Sequence, residues 1–466
     1  MTDTLYRPPF RPAVPPRREG PLPIIPFLWH SWRDPLGTWS RRHFEEPQLY
    51  GEGPLGAVIV VSHPAGVRHV LTENAANYHK GDLQRRILGP LLADGLLLTE
   101  GEVWRRARRI VAPLFTPSRM GDLTQRMTEV CRARVAGWDL GYGARVLDID
   151  SQMSTLTFES LSATLFSDEI GGEAAGFEKA LNRYLSIGGR IDPLDVIDAP
   201  GWIPRLGRLA SYGSASFFEN TVAELVRARR EAIEAGRAPP PDLLSALLQA
   251  RDEADGAGLS DREVAANILT FILAGHETTA RTLGWCLHLL SRVPEVAARL
   301  QVEADGFDPA APDWAERMPW TRAVIEESMR LFPPAPTLAR TAVGPDTIGG
   351  PGVDPQEIKA GTMVIISPWV LHRHARLWDD PEAFRAERFL PENRKIIDRY
   401  AWIPVSAGPR VCIGATFALQ EAMIALAEIM RTADVEPVGM DEPRPVHQVT
   451  LRSQRPMRLR LRARRG

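Results

Sequence analysis

Cys412 lies in a sequence context that suits a metal ligand. Residues 404–414 read Pro-Val-Ser-Ala-Gly-Pro-Arg-Val-Cys-Ile-Gly, and a strong helix pattern follows from Ala415. The small residues and prolines ahead of Cys412 favour a sharply bent loop, and Gly414 permits close approach of another backbone. At the start of a helix, amide groups and the helix dipole favour thiolate over thiol. A thiolate held in an apolar loop is a suitable axial ligand for haem iron, although a lone cysteine is more often an inert core residue.

A second pattern lies in the longest helix that the sequence predicts. Ser260 and Glu263 have the spacing of a capping box, and no proline follows before Pro294. The predicted helix therefore has about 30 residues and a length of about 45 Å at 1.5 Å per residue, enough to cross the molecule. Its centre is apolar nearly all round, as expected for a helix that is buried on all sides.

Four residues of this helix share one stripe at spacings i, i+3, i+4 and i+7: Phe271, Ala274, Gly275 and Thr278. Ala and Gly leave a shallow groove, and Gly with a Thr that bonds back to its own helix is a known cause of bending. Such a groove can admit a flat cofactor and a diatomic molecule. Glu277 beside it would be costly as an unpaired buried charge, so a purely structural interpretation explains it poorly. His276 lies off the stripe and is not predicted to be a ligand.

Two more patterns combine arginine with aromatic or acidic residues. Trp104 and Arg108 lie four apart on one face of a helix, which a capping box at Thr99 and Glu102 is predicted to start. A solvated basic surface is the alternative interpretation of that face. Glu327 and Arg330 lie three apart just before two prolines, and an exposed pair of this kind contributes only about 0.2–0.5 kcal/mol.

Together these motifs resemble those of the cytochrome P450 superfamily. The resemblance covers about residues 60–430 and comprises Gly-x-Arg-x-Cys-x-Gly at 408–414, Ala-Gly-x-Glu-Thr-Thr at 274–279, Glu-x-x-Arg at 327–330 and Trp-x-x-x-Arg at 104–108. One departure is Val405, where the family usually has Phe, so the redox potential does not follow from the motif. The resemblance implies a mainly α fold with small β-sheet regions, shaped as a triangular prism around a buried haem b.

The resemblance also implies roles for individual residues. Cys412 would be the proximal iron ligand, and Glu277 with Thr278 would form the catalytic acid–alcohol pair that delivers protons during oxygen activation. A structural triad behind the haem would consist of Glu327, Arg330 and Arg388. The other residues implied at the haem, as propionate partners or as parts of the loop and groove, are Lys80, Trp104, Arg108, Ala274, Gly275, Arg340, Gly408, Arg410 and Gly414.

The substrate pocket is predicted to be apolar, which implies a small hydrophobic substrate. The segment from Pro193 to Pro204 resembles the mobile lid of the family. No arginine or tyrosine is predicted at the mouth of the pocket to bind a carboxylate, so fatty acids, terpenoids, steroids and aromatic compounds all remain open. The candidate lining residues are Ile87, Leu88, Leu91, Leu92, Leu185, Ile187, Trp202, Phe271, Ala274, Leu338 and Leu451.

Composition argues against several classes of protein. The 466 residues carry a net charge of -2, so we expect no electrostatic attraction to nucleic acid or to a membrane. The three cysteines cannot form a disulfide framework, and no secretion signal or membrane segment is present. These features predict a cytoplasmic protein. Only four residues are lysine, so nearly all basic residues are arginine, a bias that favours a bacterial source.

The chain is predicted to have one main domain. Residues 1–20 are rich in Pro and Arg and predict an extended or loosely tethered arm, and residues 21–466 would form a single haem domain. Residues 55–61 predict a buried strand, the only clear strand signal before about residue 340. Residues 458–462 alternate with period two and predict an edge strand.

The function that the resemblance implies is monooxygenation. One atom of O2 would enter an apolar C–H or C=C bond, and the other would leave as water. The alternatives are a peroxide-driven peroxygenase or a haem-thiolate isomerase, which usually lack the acid–alcohol pair, and a non-catalytic haem sensor.

Electrons would have to come from a separate protein. The chain ends at residue 466, soon after the cysteine motif, so no fused reductase domain is expected. The predicted source is NAD(P)H, through a reductase and a ferredoxin or flavodoxin-type donor, and the protein is predicted to be a monomer. The face implied to bind an acidic ferredoxin carries Arg105, Arg106, Arg109, Arg394, Lys395 and Arg399.

Overall fold

The computed structural model describes residues 9–53, 55–92, 94–167, 176, 180, 181, 184, 192–197, 199, 200 and 202–464. The described part of the chain is mainly helical and has four small sheets, which confirms the predicted fold class.

Helices occupy most of the described chain. In chain order, α1 to α8 are Ile24–Arg33, Pro64–Arg68, Asp82–Leu92, Gly101–Val111, Pro117–Gly121, Thr124–Ala136, Ile149–Leu165 and Pro193–Val196. Helices α9 to α16 are Leu206–Glu234, Leu243–Gln249, Asp261–Arg292, Pro294–Asp305, Pro319–Leu331, Pro368–Leu371, Pro391–Arg394 and Ala415–Thr432. A π-helical turn, His69–Glu73, follows α2. Short 3-10 turns include Ala112–Phe115, Ala386–Phe389 and Gly408–Arg410.

The strands are short and form small sheets at the edges of the helical body. In chain order, β1 to β6 are Gln48–Gly53, Gly56–Val61, Tyr78–Lys80, Arg145–Asp148, Leu338–Ala342 and Asp346–Gly350. Strands β7 to β12 are Val353–Ile358, Met363–Ile366, Ala433–Pro437, Pro445–His447, Leu451–Ser453 and Arg458–Ala463. The largest sheet has the order β1-β2-β8-β5-β3, in which only β2 and β8 are parallel. The others are β4-β12-β9, β6-β7 and β10-β11.

Helix α11 is the central element. It has 32 residues, and both hydrogen bonds of the predicted capping box are present: Glu263 N–H to Ser260 Oγ at 3.3 Å, and Ser260 N–H to the Glu263 carboxylate at 2.8 Å. Helices α7, α9, α13 and α16 pack around it, so most of its side chains are buried. The prediction of one long buried helix is confirmed.

Three local predictions are wrong. The N-cap of α4 is Glu100, because the Thr99 hydroxyl instead donates to the Gly95 carbonyl at 3.2 Å in the preceding turn. Strand β12 is central, because β4 and β9 pair with its two edges. The strand at 55–61 is also not alone in the first 340 residues: β1, β3 and β4 are there as well. The pairings of β3 with β5 and of β4 with β12 join distant segments, so local sequence patterns do not reveal them, whereas β1 forms a hairpin with β2.

The N-terminal segment packs on the body of the protein where it is described. Residues 9–17 have no regular secondary structure. The Phe10 carbonyl accepts a hydrogen bond from Phe384 N–H at 2.8 Å, Arg11 pairs with Asp380 at 2.8 Å, and the Arg17 guanidinium lies 3.8 Å from the centre of the Phe44 ring. Within the described ranges, the helices are all too short or too polar to span a bilayer.

Candidate active site

The loop before Cys412 folds back on itself. Cys412 N–H donates to the Val405 carbonyl at 3.0 Å, and Val411 N–H donates to the Gly408 carbonyl at 3.0 Å. Gly408 has φ +68°, and a Cβ atom there would lie 1.8 Å from the Leu71 carbonyl oxygen. Only glycine fits this position, since both the backbone conformation and the space exclude a side chain. The loop thus packs tightly on the turn after α2 and presents Cys412 just before α16.

Cys412 differs from the two other cysteines. Its side chain is exposed, whereas Cys131 and Cys286 are buried. Burial around the loop raises the pKa of the Cys412 thiol, and the Gly414 amide and the charge of Arg108 oppose that rise only in part. The effect of the amide group that the sequence predicted is therefore present, but burial outweighs it in the protein alone. An exposed cysteine on a tightly packed loop is what an axial ligand to a bound cofactor requires.

The predicted stripe on α11 has open surface in its middle. Ala274 is exposed, and Gly275 and Thr278 are half-buried, although almost every neighbouring residue of the helix is buried. The Thr278 hydroxyl donates to the Ala274 carbonyl at 2.7 Å, the predicted bond back to the helix. A Cβ atom at position 275 would lie 2.7 Å from Leu161 Cδ1, so Gly275 also lets α7 approach closely. A shallow open groove therefore interrupts an otherwise buried helix.

The predicted propionate partners form one cluster of cations. Lys80 on β3 pairs in register with Arg340 on β5. The Arg410 guanidinium lies 3.8 Å from the centre of the Trp104 ring and donates to the Thr99 carbonyl at 2.8 Å. Arg108 lies close enough to Lys80 and Arg410 to lower the pKa of each.

This cluster has too little negative charge of its own. Burial and the nearby charges of Arg410 and Arg340 lower the pKa of Lys80 to about 7. Burial likewise lowers the pKa of Arg410 to about 10, and it lowers the pKa of Arg340. In the part of the chain that the structure describes, Glu100 is the one carboxylate that raises any of these pKa values. Four clustered cations with one carboxylate are costly unless an anionic ligand binds among them.

The predicted triad is assembled. Arg330 donates to both oxygens of Glu327 at 2.7 and 2.8 Å, and both side chains are fully buried. Arg388 Nε lies 3.7 Å from Glu327, an ion pair rather than a hydrogen bond. Arg330 also donates to the carbonyls of three residues in the chain after α14: His372, Pro381 and Ala383. The pair thus fixes the segment that leads towards the cysteine loop.

Glu277 lies in an ionic cluster that the sequence did not predict. Its carboxylate accepts hydrogen bonds from Arg281, Thr450 and Arg452. The two arginines hold the pKa of Glu277 well below its usual value despite burial. Arg281 lies four residues further along the helix, so its pairing was visible in the sequence. Thr450 and Arg452 are more than 170 residues away, and no sequence signal points to them.

Glu421 on α16 is a second buried carboxyl that sequence reasoning missed. It is fully buried beside Ser160 of α7 and Thr279 of α11. Burial raises its pKa to about 8, and the two hydroxyl groups oppose that rise only in part. The available signal was the pair of glutamates, Glu421 and Glu428, in the otherwise apolar helix after Cys412.

The predicted pocket residues have different environments. Ile87 and Leu338 are half-buried, and Leu88, Leu92, Phe271 and Leu451 are buried. Phe271 packs against Phe115, which the sequence did not indicate, with ring centres 5.3 Å apart. Trp202 is 81% exposed. Leu185 and Ile187 lie outside the described residues, as does the side chain of Leu91.

Several of the predicted docking arginines have carboxylate partners. Arg106 pairs with Glu263 at 3.1 Å and Arg109 with Asp252 at 2.8 Å, so both tie α4 to the region around the start of α11. Arg105 pairs with Glu102, and Arg394 pairs with Glu326 at 3.0 Å. Arg399 stacks on Tyr400.

Comparisons with known proteins show which family this chain resembles over most of its length. The family model described as Cytochrome P450 matches residues 54–460. The chain is 32% identical to cyclooctat-9-en-7-ol 5-monooxygenase of Streptomyces melanosporofaciens, over 92% of each chain. It is 30% identical to pentalenene oxygenase of Streptomyces avermitilis, over 96% of each chain. The crystal structure of the cytochrome P450DA haem domain is similar with a TM-score of 0.76 and 26% identity, over 98% of each chain.

Proposed function

The chain belongs to the cytochrome P450 family, and we propose that this monooxygenase oxidises a cyclic terpenoid hydrocarbon or alcohol. Relatives that match nearly the whole chain are named for oxygenation of cyclooctat-9-en-7-ol and of pentalenene. The observation that carries the proposal is the open stripe of Ala274, Gly275 and Thr278, which offers an apolar wall and one hydroxyl beside it.

The residues present fit a haem. Cys412 has the open sulfur that an axial ligand needs, and its loop would hold the iron from one side. The excess of buried cations around Lys80, Arg340 and Arg410 fits the two propionates, and Trp104 and Arg108 belong to the same cluster. When bound, haem supplies the iron that activates O2 with electrons from a partner.

Thr278 has the position and chemistry to handle a proton beside the open stripe. Its Oγ1 donates its own hydrogen to Ala274, so its lone pairs can accept a hydrogen bond from water or ligand. Rotation about the Cβ–Oγ1 bond can redirect that hydroxyl hydrogen towards a bound group. This role distinguishes a monooxygenase from a sensor, which has no need of a proton donor in the groove.

A titration of the ferric holoenzyme tests the substrate class. We expect pentalenene to shift the Soret band from low spin to high spin, and palmitate, progesterone and naphthalene to shift it much less. Turnover with NADH and a ferredoxin system should then give oxygenated pentalenene. A larger shift with palmitate than with pentalenene would replace the terpenoid proposal by a fatty-acid one. Product formation driven by hydrogen peroxide alone, at the rate seen with NADH, would favour the peroxygenase alternative.

Cytochrome P450 enzymes use a separate electron-transfer partner. We expect an acidic ferredoxin or a flavodoxin-type donor, with its NAD(P)H-dependent reductase, to supply the electrons. The protein would then act as a monomer in the cytoplasm, where that partner is available. Gel filtration of the holoenzyme, with a single peak near 52 kDa, would support the monomer.

A further inference from the structure

Asp346, the first residue of β6, binds four groups through its two carboxylate oxygens. Its Oδ2 accepts hydrogen bonds from His69 Nε2 and Asn74 Nδ2, each at 2.8 Å, and from the Tyr78 hydroxyl at 2.5 Å. Its Oδ1 accepts one from the Thr347 N–H at 2.8 Å. Burial alone would raise the pKa of Asp346, but these donors lower it to about 2. The side chain is therefore a bound carboxylate anion, and it ties β6 to two other elements of the chain.

The first of these elements is the turn on which the cysteine loop packs. His69 begins the π-helical turn His69–Glu73, and the Leu71 carbonyl in that turn leaves no room for a side chain at Gly408. The loop has two residues in the left-handed region, Ser406 and Gly408, each with φ +68°, and this conformation is costly for serine. A loop with such a backbone depends on the groups packed against it to keep its shape.

The second element is β3, which begins at Tyr78. The Tyr78 hydroxyl binds Asp346, and its ring belongs to a second apolar cluster, separate from the main core. That cluster also includes residues of the π-helical turn and of the segment before Cys412, namely Val70, Leu71, Ile403 and Ala407. Strand β3 ends at Lys80, one of the cations of the candidate propionate cluster. The ring that Asp346 orients therefore packs in the same cluster as the chain leading to the candidate iron ligand.

We propose that Asp346 is a positioning residue for the iron ligand: it fixes the π-helical turn and the Tyr78 ring, and these hold the loop that presents Cys412. Three donors converge on one oxygen of Asp346, and loss of the carboxylate would leave them without a matching acceptor. The turn would then shift, and the left-handed backbone of the loop would relax. The role of Cys412 rests on the proposed function, but the link from Asp346 to the loop does not.

Hydrogen exchange on the holoenzyme tests the link to the loop. Asp346→Asn replaces one carboxylate oxygen by an NH2 group, which cannot accept a hydrogen bond. The amides of the π-helical turn and of residues 403–412 should then exchange at least about tenfold faster than in the unsubstituted protein. The matched control is Asp242→Asn, because Asp242 is a buried carboxylate whose partners Arg229 and Ser245 belong to neither segment. Exchange that becomes faster in the turn alone, or in neither segment, would overturn the proposal.

The reduced carbon monoxide complex then tests whether the positioning reaches the sulfur. On incubation in dilute urea, Asp346→Asn should lose the thiolate-specific band severalfold faster than the unsubstituted protein. Tyr78→Phe keeps the ring but loses one hydrogen bond, so its rate should lie between the two. Asp242→Asn is compared at a urea concentration that gives it the same free energy of unfolding as Asp346→Asn. Equally fast loss of the band in these two variants would show that Asp346 only stabilises the fold, and would overturn the proposal.

Tyr78→Phe also keeps both tests decisive if Asp346→Asn does not fold. It should then give the same changes in exchange and in the band at smaller size, and no change in either would overturn the proposal. Absence of the thiolate-specific band from the unsubstituted holoenzyme would refute Cys412 as the iron ligand of the proposed function. The exchange experiment would still decide whether Asp346 holds the loop.

Discussion

The roles of individual residues in this protein depend on whether their side chains are exposed. Cys412 is exposed, whereas Cys131 and Cys286 are buried, although burial raises the pKa of all three thiols. Thr278 and Thr282 make the same bond back to their helix, but they lie one turn apart. Cys286 and Thr282 therefore provide internal controls for the roles proposed for Cys412 and Thr278.

Replacement of Cys412 should abolish the thiolate-specific spectrum. In Cys412→Ser, the reduced holoenzyme with carbon monoxide should lose the difference band that the thiolate ligand produces. Far-UV circular dichroism should change little, since the side chain is exposed and carries no core packing. Cys286→Ala is the control and should keep the band. A retained band in Cys412→Ser would show that another group ligates the iron.

Thr278→Ala should uncouple the enzyme rather than unfold it. The lost hydrogen bond lies within one helix, so the free energy of unfolding should fall by about 1 kcal/mol or less. Product formed per NADH should fall severalfold and hydrogen peroxide should rise, because no hydroxyl delivers the proton beside the groove. Thr282→Ala removes an equivalent bond, from Thr282 Oγ1 to the Thr278 carbonyl at 2.9 Å, and should keep normal coupling. Equal coupling in the two variants would remove Thr278 from the mechanism.

Helix α11 is held between α7 and α16 by polar groups inside an apolar interface. His276 contacts Ser154 of α7 at 2.9 Å, and Gly275 allows the two helices to approach. On the other side, Glu421 of α16 lies beside Thr279 of α11 and Ser160 of α7, with Cys131 of α6 also close. Helix α16 starts just after Cys412, so this contact joins the helix that follows the candidate ligand to the helix with the open stripe.

Stability should depend on pH through Glu421. Its pKa is raised to about 8 in the folded protein, from 4.5, so the folded state keeps a proton that the unfolded state releases. The free energy of unfolding should therefore fall as pH rises from 4.5 to 8, by up to about 1.4 kcal/mol per pH unit. Glu421→Gln has no such proton and should become progressively more stable than the unsubstituted protein over this range. The control is Glu436→Gln, which removes a carboxylate that pairs with Arg460 and Arg462, and its thermal midpoint should follow pH as that of the unsubstituted protein does. If the thermal midpoint of Glu421→Gln also follows pH in the same way, Glu421 is not neutral in the folded protein.

For the whole molecule, the net charge of -2 hides an uneven distribution. Cations concentrate around the Cys412 loop, and carboxylates neutralise Arg105, Arg106, Arg109 and Arg394 of the predicted docking face. We therefore expect the remaining cations of that face, Lys395 and Arg399, to contribute most to attraction of an acidic donor.

Electron transfer should weaken with salt if this attraction is right. The rate of haem reduction by a reduced acidic ferredoxin should fall severalfold between low ionic strength and about 0.5 M salt, because exposed charges are screened over a few ångströms there. Lys395→Gln and Arg399→Gln should each lower the rate at low salt. The control Arg317→Gln removes an exposed arginine that pairs with Asp313, and it should have no effect. A reduction rate that is independent of salt would refute electrostatic docking.

Features that depend on nearby residues could be predicted from the amino-acid sequence. The capping box at Ser260, the long apolar helix, the stripe from Phe271 to Thr278 and the pairing of Glu327 with Arg330 all have short spacings, and the structure contains each of them. The folded structure alone revealed the features that join distant segments. It placed Lys80 beside Arg340, inserted β12 between two strands and surrounded Glu277 with Thr450 and Arg452. A motif specifies which groups are available, but the charge and partners of a buried group depend on everything packed against it, and most of those neighbours are far away in the chain.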